Sequence, residues 1–140
     1  MNKFYIVLIC LFGAFQINAQ TKNQKAYSYI NKANKAIEES IDYSEALINF
    51  NKAMKLMGDI TDKNVASLGA RTYFEVHHKQ RTVQKQVAFL EKSNKYSKQY
   101  FSLATNKTTE DYKENVELYS IAKKTLKKLR YQKRRRMAKF

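Results

Sequence analysis

Two adjacent histidines, His77 and His78, are the only imidazoles in the chain, so acid–base or metal chemistry by histidine would have to begin there. Neighbours on a helix point about 100° apart at 3.6 residues per turn. The pair therefore cannot chelate one ion as histidines at i and i+4 would. No HExxH pattern or carboxylate cluster accompanies them, and a solvated helix end accounts for both. A glycine-rich phosphate loop and a GxSxG elbow are both missing from the sequence. Ten tyrosines could serve as general acids, but their helical spacing assigns them to core and groove-lining positions. Aspartates and glutamates stand at helix starts or beside lysines, where capping and i, i+4 pairing explain them. These residues yield no catalytic, cofactor-binding or metal site, and the expectation is a protein that is not an enzyme.

The residue types that do concentrate are cations. The formal net charge is +15, and residues 123–140 hold ten basic side chains and no acid. They are Lys123, Lys124, Lys127, Lys128, Arg130, Lys133, Arg134, Arg135, Arg136 and Lys139. The same stretch begins after an acidic segment with Glu110, Asp111, Glu114 and Glu117. Acids first and bases last suit a helix dipole, worth about 0.3–1 kcal/mol per exposed group. That does not require ten cations, which repel one another. With Leu129, Tyr131, Met137 and Phe140 interleaved, the segment suits an anionic surface: lipid headgroups, lipopolysaccharide or nucleic acid. A merely solubilising tail is the plainer account. The candidate anionic-surface residues are Lys127, Lys128, Arg130, Lys133, Arg134, Arg135 and Arg136.

The other end decides where that surface would be. Lys3 is followed by an uncharged run, FYIVLICLFGAF at residues 4–15, then Gln16-Ile17-Asn18-Ala19. This is the order of a secretory signal peptide, with Ile17 and Ala19 at −3 and −1 and cleavage before Gln20. The run is too short for a span, which takes roughly 20 apolar residues. The one cysteine, Cys10, lies inside it and would leave with it, and Ile9 excludes a lipobox. The mature chain would then have no disulfide and rest on packing alone. Asn106-Lys107-Thr108 is a glycosylation sequon, relevant only in a eukaryotic host.

The elements that must position these residues are helices. Proline is absent, and residues 20–140 contain only Gly58 and Gly69. No stretch alternates apolar and polar residues over a strand's length. A first helix is expected over residues 21–40, with Ala26, Tyr29, Ile30, Ala33 and Ile37 on one stripe. Asp42 reads as an N-cap and Glu45 completes a capping-box pattern. The second helix spans residues 43–57 and buries Ala46, Leu47, Phe50, Ala53, Met54 and Met57, with Gly58 as a C-cap taking positive φ. Val65, Leu68, Tyr73 and Val76 mark a third helix. A fourth covers residues 81–104, with Val83, Val87, Leu90, Tyr96, Tyr100 and Phe101. No breaker separates these two near residues 77–80, so one continuous helix is the alternative reading. Thr108 or Thr109 caps a final helix reaching Met137, about 43 Å long at about 1.5 Å per residue. Its stripe is Tyr112, Val116, Tyr119, Ala122, Leu126 and Leu129.

The first helix pair resembles a tetratricopeptide repeat (TPR). Ile30, Ala33, Asn34 and Ile37, then Tyr43, Ala46, Phe50 and Ala53, fall on that repeat's spacing. Small residues at Ala33, Ala46 and Ala53 allow close approach, and Ile30, Ile37, Tyr43 and Phe50 fill the space between. Ile30 stands where the repeat usually has Trp, Asn34 where it often has Gly and Gly58 where it often has Pro. The likeness covers about 34 residues and fades afterwards, though Leu68-Gly69 is similar to the Leu-Gly pair of a second repeat.

The resemblance implies an all-α fold of antiparallel helical hairpins, about two repeats, with the long last helix as the cap such arrays use. It also implies a protein-binding groove on the first helix of each pair, here Ser28, Asn31, Lys35 and Glu38. The organisation expected is a signal peptide at residues 1–19, a TPR-like domain at 20–129 and a basic tail at 130–140. The expected function is a secreted or periplasmic module that docks an envelope protein or peptide while its cationic helix meets anionic lipid or lipopolysaccharide. After cleavage no transmembrane span remains. The alternative is an extracytoplasmic nucleic-acid-binding protein.

Overall fold

The computed structural model describes the backbone of residues 2–138 and the side chains of residues 21–138. The side chains of the expected leader, together with Lys139 and Phe140, lie outside the described residues. The fold is all-α: α1 (Asn2–Ser40), α2 (Tyr43–Leu56), α3 (Lys63–Val76), α4 (Val83–Leu103) and α5 (Glu110–Met137). A single 3₁₀ turn, His77–Lys79, follows α3. The helix expected over residues 21–40 is the second half of α1.

Side-chain caps set the helix starts. Asp42 Oδ1 accepts from the Ser44 and Glu45 amides, each at 3.0 Å. The reciprocal half of the expected capping box is not made, because the Asp42 amide donates instead to the Ala36 carbonyl at 3.0 Å. Asp62 caps α3 through the Asn64 amide at 2.8 Å, and Thr109 caps α5 through the Tyr112 amide at 3.2 Å. Between α3 and α4 the chain does break, without glycine or proline. Thr82 Oγ1 accepts from the Lys85 amide at 3.2 Å, and Gln86 donates to the Gln80 carbonyl at 2.9 Å. The histidine pair stands at the end of α3, with His78 exposed and His77 Nδ1 bonded to the Phe74 carbonyl.

One C-cap differs from expectation. Met57, in extended backbone (φ −83°, ψ 134°), ends α2, and Gly58 does not take positive φ. The amide of Met57 still reaches the Ala53 carbonyl at 2.9 Å, so the last turn closes without a left-handed residue. The left-handed position falls instead on Ile41, φ 52°, at the end of α1.

Each helix packs on the next, α1 on α2, α2 on α3, α3 on α4 and α4 on α5, and α5 also touches α3. The result is two stacked hairpins with α5 laid across the second. Fully buried Ala33 of α1 shares one core with Ala46, Phe50 and Ala53 of α2, and the three alanines allow the helices to approach closely. Gly69 does the same for α3: a Cβ there would lie 2.5 Å from Phe50 Cζ and 3.0 Å from Tyr96 Cγ. Phe50 packs edge-on against Tyr73 and Tyr96, at centroid distances of 6.4 and 5.2 Å. Such pairs add about 0.5–1.5 kcal/mol beyond their burial.

The stripe expected on α5 needs correction at one position. Val116 is 45 % exposed, and its neighbour Asn115 is buried at 4 %. Asn115 is tolerated there because both ends of its amide are satisfied. It donates to the Asp111 carbonyl at 2.9 Å and accepts from Ser67 Oγ of α3 at 3.1 Å. Further along, Ala122 and Leu126 join Leu90 of α4 in a second, smaller core, flanked by Phe74, Val87 and Leu129.

Candidate anion-binding groove

The α4–α5 contact opens on one side into a groove of about 870 Å³. Two contacts fix how the walls face each other. Phe101 of α4 meets Tyr119 of α5 edge-on at 5.7 Å, and Glu91 of α4 accepts from Arg130 of α5 at 2.6 Å. The helices therefore run antiparallel in one register, which sets Lys98 across from Lys123 and Lys95 across from Lys127. On α5, Lys123, Lys127, Arg130 and Arg134 recur every three or four residues and so form one stripe along the groove.

The electrostatics are one-sided. Six cations line the groove, Lys95, Lys98, Lys123, Lys127, Arg130 and Arg134, against one carboxylate, Glu91. Only Arg130 of the six has an ion-pair partner among the described residues. At two levels of the groove, each wall carries a lysine. The floor is apolar, made by Leu126 and the ring of Tyr119. Lys123 Nζ lies 5.3 Å from the Tyr119 centroid, and Arg135 sits 5.8 Å from that of Tyr131 at the open end. On the α4 wall, Asn94 Oδ1 is buried with no hydrogen-bond partner.

The other flank of α5 has the opposite sign. A cleft between α3 and α5 presents Glu75, Asp111, Glu114 and Glu117 against Arg71. Asp111 is anchored there by the Tyr100 hydroxyl, which donates to Oδ2 at 2.7 Å, and by Lys63 at 3.6 Å. Burial, then the bond to Asp111 and its charge, then Tyr112, push the Tyr100 phenol up to about 12. Tyr96 is raised by burial and by Tyr73 beside it. Both phenols stay protonated through the neutral range.

The sequence candidates are only partly brought together. Lys127, Arg130 and Arg134 line the groove, while Lys128, Lys133, Arg135 and Arg136 are exposed on other faces of α5. Of the four residues assigned to a peptide groove, Glu38 lines a cleft between α1 and α3 with Asn34, Ile37 and Arg71. Ser28, Asn31 and Lys35 lie outside that cleft, on the open face of α1 beside Tyr27. Sequence reading missed Lys95 and Lys98, half of the groove's facing pairs. Their i, i+3 spacing was visible, but nothing local shows which helix they face. Comparison with protein-family models, with curated proteins and with solved structures finds no match.

Proposed function

We propose that this chain is an exported, non-enzymatic binding module that docks a partner protein and holds to anionic envelope surfaces through α5. The observation that carries the reading is the state of the α5 cations. All nine from Lys123 to Arg136 are exposed, and among the described residues Arg130 alone of them forms an ion pair. An exposed pair of that kind stabilises a fold by at most about 1 kcal/mol, so fold stability does not account for the rest. The last two turns of α5 are exposed on every side. They present Tyr131 and Met137 beside the cations, a composition suited to the headgroup region of a membrane. Among the described residues no helix is long and apolar enough to cross one.

Two further features support a TPR-like scaffold. Buried Ala33, Ala46 and Ala53 stand where the repeat uses small residues, and Gly69 is pressed against Phe50 as a second repeat's Leu-Gly pair would be. Export rests on the leader at residues 1–19. A second reading, binding of single-stranded nucleic acid, is favoured by Tyr131, 62 % exposed with Arg135 over its ring.

Co-sedimentation with vesicles tests the surface contact. The protein is expected to pellet with phosphatidylglycerol vesicles and stay in the supernatant with phosphatidylcholine. Each cation near such a surface contributes about 1 kcal/mol, so the variant K133Q/R134Q/R135Q/R136Q should lose at least roughly tenfold in partitioning. Equal pelleting of variant and wild type would count against the proposal.

A further inference from the structure

We infer that the α4–α5 groove is the docking site for an acidic amphipathic helix of a partner protein. The inference rests on the reading of this chain as a binding module and names the surface and the partner's chemistry. Charge complementarity is the first argument. Lys98 faces Lys123 and Lys95 faces Lys127 over an apolar floor, and no carboxylate neutralises either pair among the described residues. Anionic groups seated between the walls relieve both repulsions, and the third level is already neutralised by Glu91 and Arg130.

Spacing is the second argument. The two facing pairs are about one turn apart, roughly 5.4 Å along the axis, and the stripe from Lys123 to Arg134 extends about 16 Å. A helix lying along α5 has the same rise per residue. Its carboxylates at i, i+4 and i+11 meet Lys123, Lys127 and Arg134 in step, and a neutral residue at i+7 lies beside the Arg130–Glu91 pair. Its apolar edge covers Leu126 and Tyr119.

The groove suits other polyanions less well. Bases need free aromatic faces to stack on, whereas Tyr119, the ring on the groove floor, carries Lys123 over it and Phe101 at its edge. A bilayer surface meets the exposed end of α5 rather than a trough with two walls.

Fluorescence anisotropy with a designed peptide tests this. The probe has Glu at i, i+4 and i+11, Gln at i+7 and Leu on the adjoining face; its control is the same peptide with two residues replaced by proline. The full chain is expected to bind the helical probe at least tenfold more tightly than the control. K95E/K127E should lose at least tenfold, and a probe with Lys in place of the Glu at i+4 alone should restore binding to that variant. K133Q/R135Q/R136Q, off the groove, should stay within twofold. Equal binding of probe and control, insensitivity to K95E/K127E, or displacement of the probe by an equal concentration of oligothymidylate would each overturn the inference. Phosphatidylglycerol co-sedimentation of the same variants separates the two proposals. Vesicle binding that persists while the peptide fails to bind removes the groove assignment alone, and loss of both removes the binding-module reading too.

Discussion

Ile41 is held at φ 52° although it is β-branched and 74 % exposed. A left-handed backbone costs an L-residue about 1–2 kcal/mol, and burial of this side chain returns little. What holds it is the tight turn into α2: the Ile41 amide reaches the Ile37 carbonyl and the Asp42 amide the Ala36 carbonyl, both at 3.0 Å. Ile41→Gly should therefore stabilise the protein by about 0.5–1 kcal/mol, after the greater freedom of glycine in the unfolded chain is subtracted. Urea unfolding measures it, and a loss of stability would show that the Ile41 side chain has contacts that matter. Tyr100 makes a second prediction at this scale. Its pKa is raised in the fold to about 12 from 10.0, so its contribution is complete below pH 10 and is lost as pH rises through 12. Stability should fall across that window, and Tyr100→Phe should remove part of the slope. A pH dependence unchanged by the substitution would contradict the assignment.

At the scale of elements, Gly69 decides how closely α3 approaches the Phe50–Tyr96 pair. Gly69→Ala improves helix propensity by about 1 kcal/mol but drives a methyl into the Phe50 ring. A net destabilisation of about 1–3 kcal/mol is expected, as for overpacked cores, measurable by thermal or urea unfolding. Helix existence was legible in the sequence because caps such as Asp42 and Thr109 are local chemistry. The α3–α4 break was not, because it depends on His77, Gln86 and Thr82 acting together with no glycine or proline to mark it. Asn115 was invisible for another reason. A polar residue in an apolar stripe is buried only when a partner from elsewhere, here Ser67, satisfies it. Gly58 misled because glycine permits positive φ without requiring it.

Over the whole molecule, charge is sorted by face. The α4–α5 groove is basic, and the α3–α5 cleft on the other side of the same helix is acidic. The basic composition of residues 123–136 was plain from the sequence, but the groove was not. Its shape depends on the register between helices, which the Phe101–Tyr119 and Glu91–Arg130 contacts set and no local pattern encodes. The TPR-type assignment likewise pointed to Ser28, Asn31 and Lys35 by analogy, while the cations congregate elsewhere. The most direct test of where anions are met is an amide NMR titration of isotopically labelled protein with phosphatidylglycerol-containing bicelles, at low and high salt. Shifts are expected over the exposed end of α5, residues 131–137, with Lys95 and Lys98 little changed, and they fade as salt screens the contact. Shifts confined to the α1–α3 face, or a response that ignores salt, would contradict the account.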